Sequence, residues 1–186
     1  MKKPLPSINQ AAQILQAGGI IAYPTEAVYG LGCLPDHLES IEKLLHLKQR
    51  PIEKGLILLA SDLSQLSEYL SPIAPKILAK LQASWPGPNT WILPTPDTTP
   101  TLIKGDFNTI AVRISAHPLV QQLCQLCQSP IISTSANITG EAMSYSPADV
   151  RSHFGEQLDY ILPGELGDSD KPTVIIDALS DEVIRL

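Results

Sequence analysis

The chain has 186 residues, of which 44% are hydrophobic and 17% charged, a composition that excludes a disordered protein and suits one domain with a sizeable core. Its formal net charge of −6 argues against a protein that coats nucleic acid, although a local basic cleft is compatible with it. No apolar run is long enough to span a bilayer, and no signal-peptide segment follows the start MKKPLPSINQ, so we expect a cytoplasmic protein with no membrane partner.

The first half of the chain alternates helix and strand patterns. Ser7 is a suitable N-cap for a helix over residues 8–17, and a short apolar strand over residues 20–23 follows. Asp36 is the expected N-cap of a second helix over residues 37–47. The apolar face of that helix consists of Leu38, Ile41, Leu44 and Leu45. The next expected segments are a strand in GLILLA (55–60), a short helix opened by Ser61 and Asp62, a helix over 75–83 and a strand in TWILP (90–94).

The second half continues the alternation and becomes rich in strands towards its end. The segment TIAVRIS (109–115) alternates as a strand does, and Pro118 suits the first turn of a helix. The remaining expected segments are a strand in PIISTSAN (130–137), a helix over 147–154, and strands in DYIL, TVIID and VIRL. This order predicts an α/β fold, a single domain over residues 1–186 whose twisted mixed sheet carries helices on both faces.

Two of the three cysteines, Cys124 and Cys127, have the CxxC spacing of metal ligands. A single CxxC without a second pair is a poor zinc site, because structural zinc takes four ligands. The two thiols also fall on the apolar face of a predicted helix. We therefore favour core packing and predict no metal site built from protein side chains.

The stretch YPTEAVYGLGC (23–33) fits no simple structural template. Thr25 and Glu26 place a hydroxyl and a carboxylate just past the carboxyl end of a strand, where ligands of open α/β sheets gather. The glycines at 30 and 32 do not form a dinucleotide fingerprint, because Pro35 occupies the third glycine position, and the chain contains no Walker loop. These glycines either let the backbone approach a ligand or allow a tight backbone passage.

Three further segments carry polar groups suited to ligands. Lys48 and Arg50 in KQRP either complement a helix C-terminus or bind a polyphosphate. Arg113 shares a strand face with Ala111 and Ser115, which favours a polar pocket over plain surface. The hydroxyl and amide groups of STSAN (133–137) either build a turn or bind phosphates or a small polar substrate.

Taken in order, these segments resemble the YrdC/TsaC family of bacterial threonylcarbamoyl-AMP synthases. The resemblance rests on PTEAVYGLGC, KQRP, WPGPNT, AVRISAHPL and STSANITG, and it extends from about residue 8 to the C-terminus. The chain resembles the short form, which lacks an extra C-terminal domain. The resemblance implies that L-threonine, bicarbonate and ATP react to give L-threonylcarbamoyladenylate and pyrophosphate. Partner proteins of the pathway would then transfer the threonylcarbamoyl group to the adenosine next to the anticodon in tRNA.

The resemblance also implies roles for particular residues of this chain. Lys48 and Arg50 would be catalytic, and Mg²⁺ would accompany the ATP. The predicted ATP-binding residues are Lys48, Arg50, Thr109, Ser135 and Asn137. The predicted threonine-binding residues are Thr25, Arg113, Ser133 and Thr173. Departures from the family pattern at Ala27, in the apolar stretch 56–60 and at Val174 leave open which residues contact threonine.

Two other functions compete with this interpretation. The related domain of hydrogenase maturation factors makes a carbamoyl adenylate, but those proteins carry an acylphosphatase-like part and paired zinc motifs, neither of which is recognisable here. An RNA-binding module of the same fold would act in tRNA or ribosomal RNA maturation without catalysis. The acidity and few aromatic residues argue against strong RNA binding, while a basic patch around Lys48, Arg50 and Arg113 leaves weak tRNA binding open.

Overall fold

The computed structural model describes residues 8–169 and 173–185, which form one mixed sheet flanked by helices. Its strands are β1 (Ile21–Pro24), β2 (Tyr29–Cys33), β3 (Ile57–Ala60), β4 (Asn89–Pro94), β5 (Thr109–Ile114), β6 (Ile131–Ser135), β7 (Tyr160–Ile161), β8 (Val174–Asp177) and β9 (Val183–Arg185). Its α-helices are α1 (Ile8–Gln16), α2 (Leu38–Leu47), α3 (Pro75–Ser84), α4 (Thr101–Lys104), α5 (Pro118–Cys127) and α6 (Pro147–Phe154). Two 3₁₀ helices span Ile52–Lys54 and Leu63–Leu66.

The strand order is β7-β1-β2-β6-β3-β5-β4-β8-β9, with both parallel and antiparallel neighbours. Alternate strand residues point to opposite faces. Leu59 and Ile131 pack with α1 and α5, whereas their neighbours Leu58 and Ile132 pack with α2, α3, α4 and α6. The predicted α/β fold with a mixed sheet and helices on both faces is confirmed. Within the described ranges, no helix has the length and apolar character needed to cross a membrane.

The start of α2 differs from the prediction. The helix begins at Leu38, so its N-cap is His37, which makes no capping hydrogen bond with its side chain. Asp36 therefore lies one residue too early to cap the first turn. Leu38 is 44% exposed, because the first turn extends past the core that buries Ile41, Leu44 and Leu45. The other predicted cap, Ser7, lies outside the described residues.

Strand β2 occupies a segment that the sequence predicted as part of a substrate loop. It pairs antiparallel with both β1 and β6. A Cβ atom at Gly32 would lie 2.4 Å from the Ile132 carbonyl oxygen and 2.9 Å from the Tyr23 ring. Gly32 therefore serves the tight passage of neighbouring backbones, whereas Gly30 lines the cleft described below. Glycine weakens the strand pattern in a sequence, which explains why β2 was missed.

The CxxC cysteines lie in the core around α1 and α5. Cys124 is fully buried and Cys127 is partly buried. Burial raises the pKa of the Cys124 thiol to about 12 and that of Cys127 to about 11. Both groups are therefore neutral thiols at physiological pH, as expected of core side chains. In the part of the chain that the structure describes, no three His, Cys, Asp or Glu residues are grouped to hold a metal ion.

Candidate functional site

A cleft of about 500 Å³ opens on the face of the sheet that also carries α1 and α5. Its floor consists of alternate residues from the central strands, among them Gly30 in β2, Leu59 in β3, Ala111 and Arg113 in β5 and Ser133 in β6. The alternation that placed Arg113 and Ala111 on one face of a strand is confirmed, and that face lines a pocket.

Seven of the nine predicted site residues line this cleft. They are Thr25, Arg50, Thr109, Arg113, Ser133, Ser135 and Thr173. The other two, Lys48 and Asn137, lie behind Ser135, with which both form hydrogen bonds. The fold therefore gathers segments that are up to 148 residues apart in the sequence.

The register of the strands orders these residues along the cleft. Arg113 pairs with Leu59, and Ala111 pairs with Ile57, which in turn pairs with Ser133. Thr109 lies at the start of β5, four residues before Arg113, which corresponds to about 13 Å along the strand. The cleft thus has one end marked by Arg113 and an opposite end marked by Thr109.

The Arg113 end is built around Glu26, which the sequence placed at the ligand edge of the sheet but not among the predicted catalytic or binding residues. Arg113 Nη2 donates to Glu26 Oε2 over 3.1 Å, and both side chains are less than a tenth exposed. Glu26 Oε1 also accepts hydrogen bonds from Ser115 Oγ at 2.7 Å and from the Ala116 amide at 3.1 Å. The buried carboxylate therefore holds the guanidinium in one place. The carboxylate of the PTE motif was the signal for it, but its partners lie 87 to 90 residues away.

Two hydroxyl groups beside Arg113 are held in place by local hydrogen bonds. Thr25 Oγ1 donates to the Val28 carbonyl over 2.7 Å, which closes the turn between β1 and β2. The Tyr23 hydroxyl donates to Ser133 Oγ over 2.8 Å, and burial raises the pKa of that tyrosine. Thr173 Oγ1 lies 3.3 Å from Thr90 Oγ1 at the same end of the cleft. This end can receive a small polar molecule that carries an anionic group.

At the end of β6, Lys48 fixes the turn that contains Ser135 and Asn137. Its ammonium donates to the carbonyl oxygens of Ser135 and Asn137 over 2.5 and 2.6 Å. Ser135 Oγ donates to Asn137 Oδ1 over 2.6 Å, and Thr139 donates to the Lys48 carbonyl over 2.7 Å. Lys48 is only 2% exposed. Its ammonium therefore organises the strand end that presents Ser135 to the cleft.

We expect the stability that involves Lys48 to depend on pH. Burial, and secondly the charge of Arg50, lowers the pKa of the Lys48 ammonium from 10.5 to about 8. Between these two pH values the unfolded chain binds more protons than the folded one, so the free energy of unfolding rises with pH. Lys48→Met removes this titration. Urea unfolding of both proteins, below pH 8 and above it, should show the wild type gaining stability relative to the variant as pH rises. A difference that stays constant, or moves the other way, would contradict the lowered pKa.

Arg50 lies at the Thr109 end of the cleft. Its Nε and Nη2 atoms donate to the Gly55 carbonyl over 3.1 and 2.8 Å. The preceding residue, Gln49, has a left-handed backbone with φ of 49°, which turns the chain out of α2. These contacts hold a planar cation against the cleft, where it can donate to a phosphate.

The segment from Gly164 to Ser169 lies across the turn that carries Thr25 and Glu26. The Gly167 amide donates to the Thr25 carbonyl over 3.0 Å, and the Ser169 amide donates to the Glu26 carbonyl over 3.1 Å. The Tyr29 hydroxyl donates to the Gly164 carbonyl over 2.9 Å. The segment is therefore bonded to the turn whose Glu26 holds Arg113. Residues 170–172 lie outside the described residues.

The cations that suggested a basic patch for RNA are mostly inside the protein. Lys48 is 2% exposed and Arg113 is 5% exposed, and the charge of Arg113 is balanced by Glu26. Arg50 is half-buried and lines the cleft. This arrangement suits a small anionic ligand inside the cleft rather than an extended phosphate backbone.

Comparisons with known proteins agree with this geometry. The Sua5/YciO/YrdC family model, described as "Telomere recombination", matches residues 13–186. The chain is 48% identical over 181 residues to a threonylcarbamoyl-AMP synthase of Photobacterium profundum, covering 96% of this chain and 98% of that protein. It is 47% identical over 180 residues to a threonylcarbamoyl-AMP synthase of Coxiella burnetii, covering 97% of each.

The fold also matches a solved structure that contains a ligand. The crystal structure of P. abyssi Sua5 complexed with L-threonine superimposes with a TM-score of 0.86 at 31% identity. The match covers 91% of this chain and 50% of that one, so this chain spans about half the length of the Sua5 protein.

Proposed function

Because the chain belongs to the Sua5/YciO/YrdC family, we propose that it is an enzyme that forms L-threonylcarbamoyladenylate from L-threonine, bicarbonate and ATP and releases pyrophosphate. The observation that carries this proposal is the cleft, which has a buried arginine with hydroxyl groups at one end and Arg50 with Ser135 at the other. Relatives named threonylcarbamoyl-AMP synthase, nearly half identical over almost the whole chain, support the same reaction.

The chemistry requires positioning and charge neutralisation rather than a protein nucleophile. The amino nitrogen of threonine forms a bond to the carbon of bicarbonate, a C–O bond of bicarbonate breaks, and the products are water and an N-carboxy amino acid. Its carboxylate oxygen forms a bond to the α-phosphorus of ATP, while the bond from that phosphorus to the bridging oxygen of the β-phosphate breaks. Pyrophosphate leaves with the electron pair of that bond. The protein contributes cations and hydrogen-bond donors held in place before the reaction.

We assign threonine to the Arg113 end of the cleft. The guanidinium of Arg113, held by Glu26, would bind the threonine carboxylate in a charge-assisted pair. Thr25, Ser133 and Thr173 lie at this end and would bind the remaining polar groups. Ala27 and the apolar residues of β3 also line the cleft, so they would contact the methyl group or the carbon skeleton rather than polar atoms.

We assign ATP to the Thr109 end. Arg50, Thr109 and Ser135 would contact the nucleotide, while Lys48 and Asn137 hold the turn that presents Ser135. Mg²⁺ typically binds nucleotides through the phosphates and one or two carboxylates. The cleft fits such an ion, because Asp177 lines it and the pKa of that carboxyl is lowered by hydrogen bonds from the Ser180 and Leu179 amides. When bound, Mg²⁺ would neutralise part of the phosphate charge.

The product is a reactive mixed anhydride, so it would need an acceptor. We propose that other proteins of the tRNA threonylcarbamoylation pathway transfer its threonylcarbamoyl group to the adenosine next to the anticodon in tRNA. The cytoplasm is the compartment in which this reaction would take place.

Isotope labelling of the product tests the proposal. The purified protein would be incubated with ATP, Mg²⁺, L-threonine and bicarbonate labelled at carbon, and the products would be analysed by mass spectrometry. We expect an adenylate whose mass carries the label once and that disappears when threonine is replaced by glycine, which lacks the side-chain hydroxyl. An adenylate without the label, or none at all, would contradict the proposed reaction.

A further inference from the structure

His117 is a buried histidine that has no role in the proposed reaction. It is the N-cap of α5, with Pro118 at the first helical position, yet its side chain makes no capping hydrogen bond. It is 6% exposed, and within the described ranges its Nδ1 atom has no hydrogen-bond partner. Short polar side chains such as those of serine and asparagine cap helices well, so capping does not explain an imidazole at this position.

The imidazole is bonded instead to the segment 164–169, which we call the strap. His117 Nε2 lies 3.1 Å from the Glu165 carbonyl oxygen. A carbonyl oxygen only accepts hydrogen bonds, so Nε2 carries the proton and Nδ1 is the unprotonated nitrogen. Since Glu165 is exposed, this bond ties a surface segment to a side chain inside the protein.

The strap packs closely against the turn that carries Thr25 and Glu26. A Cβ atom at Gly167 would lie 2.8 Å from the Glu26 Cα atom. The amides of Gly167 and Ser169 donate to the carbonyl oxygens of Thr25 and Glu26 over 3.0 and 3.1 Å. The strap therefore fixes the backbone that presents the Glu26 carboxylate to Arg113.

His117 is also connected to Glu26 through Ser115. The His117 amide donates to Ser115 Oγ over 3.1 Å, and that hydroxyl donates to Glu26 Oε1 over 2.7 Å. Because Ser115 Oγ accepts the amide proton, its own proton is directed to the carboxylate. His117 thus holds the strap with its side chain and Ser115 with its main chain, and both of these contact Glu26.

Building on the proposed function, we propose that His117 is a positioning residue for threonine. Its Nε2–H group holds the strap against the turn at Thr25 and Glu26, and Glu26 holds Arg113 where the threonine carboxylate would bind. The strength of a charge-assisted pair depends on its distance and angle, so a displaced guanidinium binds the carboxylate less tightly. The effect is expected for threonine rather than ATP, because the strap bonds to the turn at the threonine end.

Two amide substitutions separate the two ring nitrogens. H117Q places its amide nitrogen where Nε2 lies, whereas H117N reaches only as far as Nδ1 and supplies a good N-cap for α5. In calorimetric titrations with L-threonine, we expect the Kd to rise about tenfold in H117N and in H117A, as for the loss of one hydrogen bond. H117Q should stay within about threefold of the wild type, because it keeps a donor to the Glu165 carbonyl.

The matched control is H153A, which removes a partly buried histidine that is bonded to Glu141 over 3.1 Å and does not line the cleft. Its Kd for threonine should equal that of the wild type. In steady-state kinetics, H117N should raise the KM for threonine by the same factor as the Kd, with the KM for ATP unchanged.

Hydrogen–deuterium exchange of a peptide that covers the strap tests the contact without any reaction. The amides of Gly167 and Ser169 should exchange faster in H117N and H117A than in the wild type and H117Q, because the strap is released more often from the turn. This result does not require turnover, so it separates the role of His117 from the proposed function.

The proposal is wrong if H117N binds threonine and exchanges like the wild type, or if H117Q behaves like H117A. A variant that loses stability in urea but keeps the wild-type Kd for threonine would show a purely structural histidine and would also contradict it. If the wild type binds threonine but releases no pyrophosphate, the reaction is wrong. The Kd values and exchange rates of the variants still decide the role of His117 in that case.

Discussion

Glu26→Ala is expected to destabilise the protein by about 3–5 kcal/mol and to raise the KM for threonine, because Arg113 loses the carboxylate that positions it. The side chains of Glu26, Arg113 and Ser115 are buried. The Glu26 carboxylate accepts hydrogen bonds from Arg113, from Ser115 Oγ and from the Ala116 amide. Its removal leaves the positive charge of Arg113 without this counterion inside the protein. Urea unfolding and steady-state kinetics at varied threonine measure the two effects.

Two further variants show that the effect belongs to this buried carboxylate. Glu26→Gln keeps an oxygen acceptor of the same size, so it should lose less stability than Glu26→Ala while still weakening threonine binding. Glu141→Ala removes a carboxylate paired with His153 over 3.1 Å, but that carboxylate is 53% exposed. We expect it to change stability by less than about 0.5 kcal/mol. Wild-type stability and threonine KM in Glu26→Ala would show that Glu26 does not position Arg113.

Arg50→Ala is expected to lower kcat/KM by about 10²–10³-fold while the fold stays intact. Arg50 lines the cleft at the phosphate end and is held by two hydrogen bonds to Gly55, so it acts as a preorganised donor. Losing those two bonds should cost only about 1–2 kcal/mol of stability, because the side chain is half-buried. Pyrophosphate release and circular dichroism measure activity and fold.

Arg50→Lys and Arg151→Ala serve as the comparisons. Lysine keeps the charge but not the planar fork, so we expect activity between those of the wild type and the alanine variant. Arg151 lies exposed on α6 and does not line the cleft, so its loss should leave kcat/KM unchanged. If Arg50→Ala is correctly folded and turns over like the wild type, Arg50 has no part in the mechanism.

Local patterns in the sequence were sufficient for most elements of the fold. Helix α6 was predicted with the bounds that the structure shows, and the alternation in β5 placed Arg113 in a pocket. Strand β2 was missed because Gly30 and Gly32 remove the side chains whose alternation identifies a strand. Asp36 was predicted as the N-cap instead of His37, because hydrophobic periodicity locates the start of a helix only to within one or two residues.

The candidate site was harder to predict than the helices and strands, because it is formed by contacts between distant segments of the chain. Individual motifs indicated the polar residues, but Glu26 and Arg113 are 87 residues apart, and only the sheet brings them together. Lys48 illustrates the same limit. A lysine after a helix is usually solvated, whereas here the turn after β6 encloses its ammonium in three acceptor contacts. The sequence therefore predicted which residues matter, and the fold determined whether each faces the ligand or supports a residue that does.

The most direct test of the adenylate-forming reaction is the release of pyrophosphate from ATP and Mg²⁺, measured with threonine and bicarbonate omitted in turn. We expect release when both are present and only background release when either is absent, since the attacking carboxylate forms from the two together. Release that is unaffected by either omission, or no release at all from a correctly folded protein, would contradict the adenylate-forming reaction.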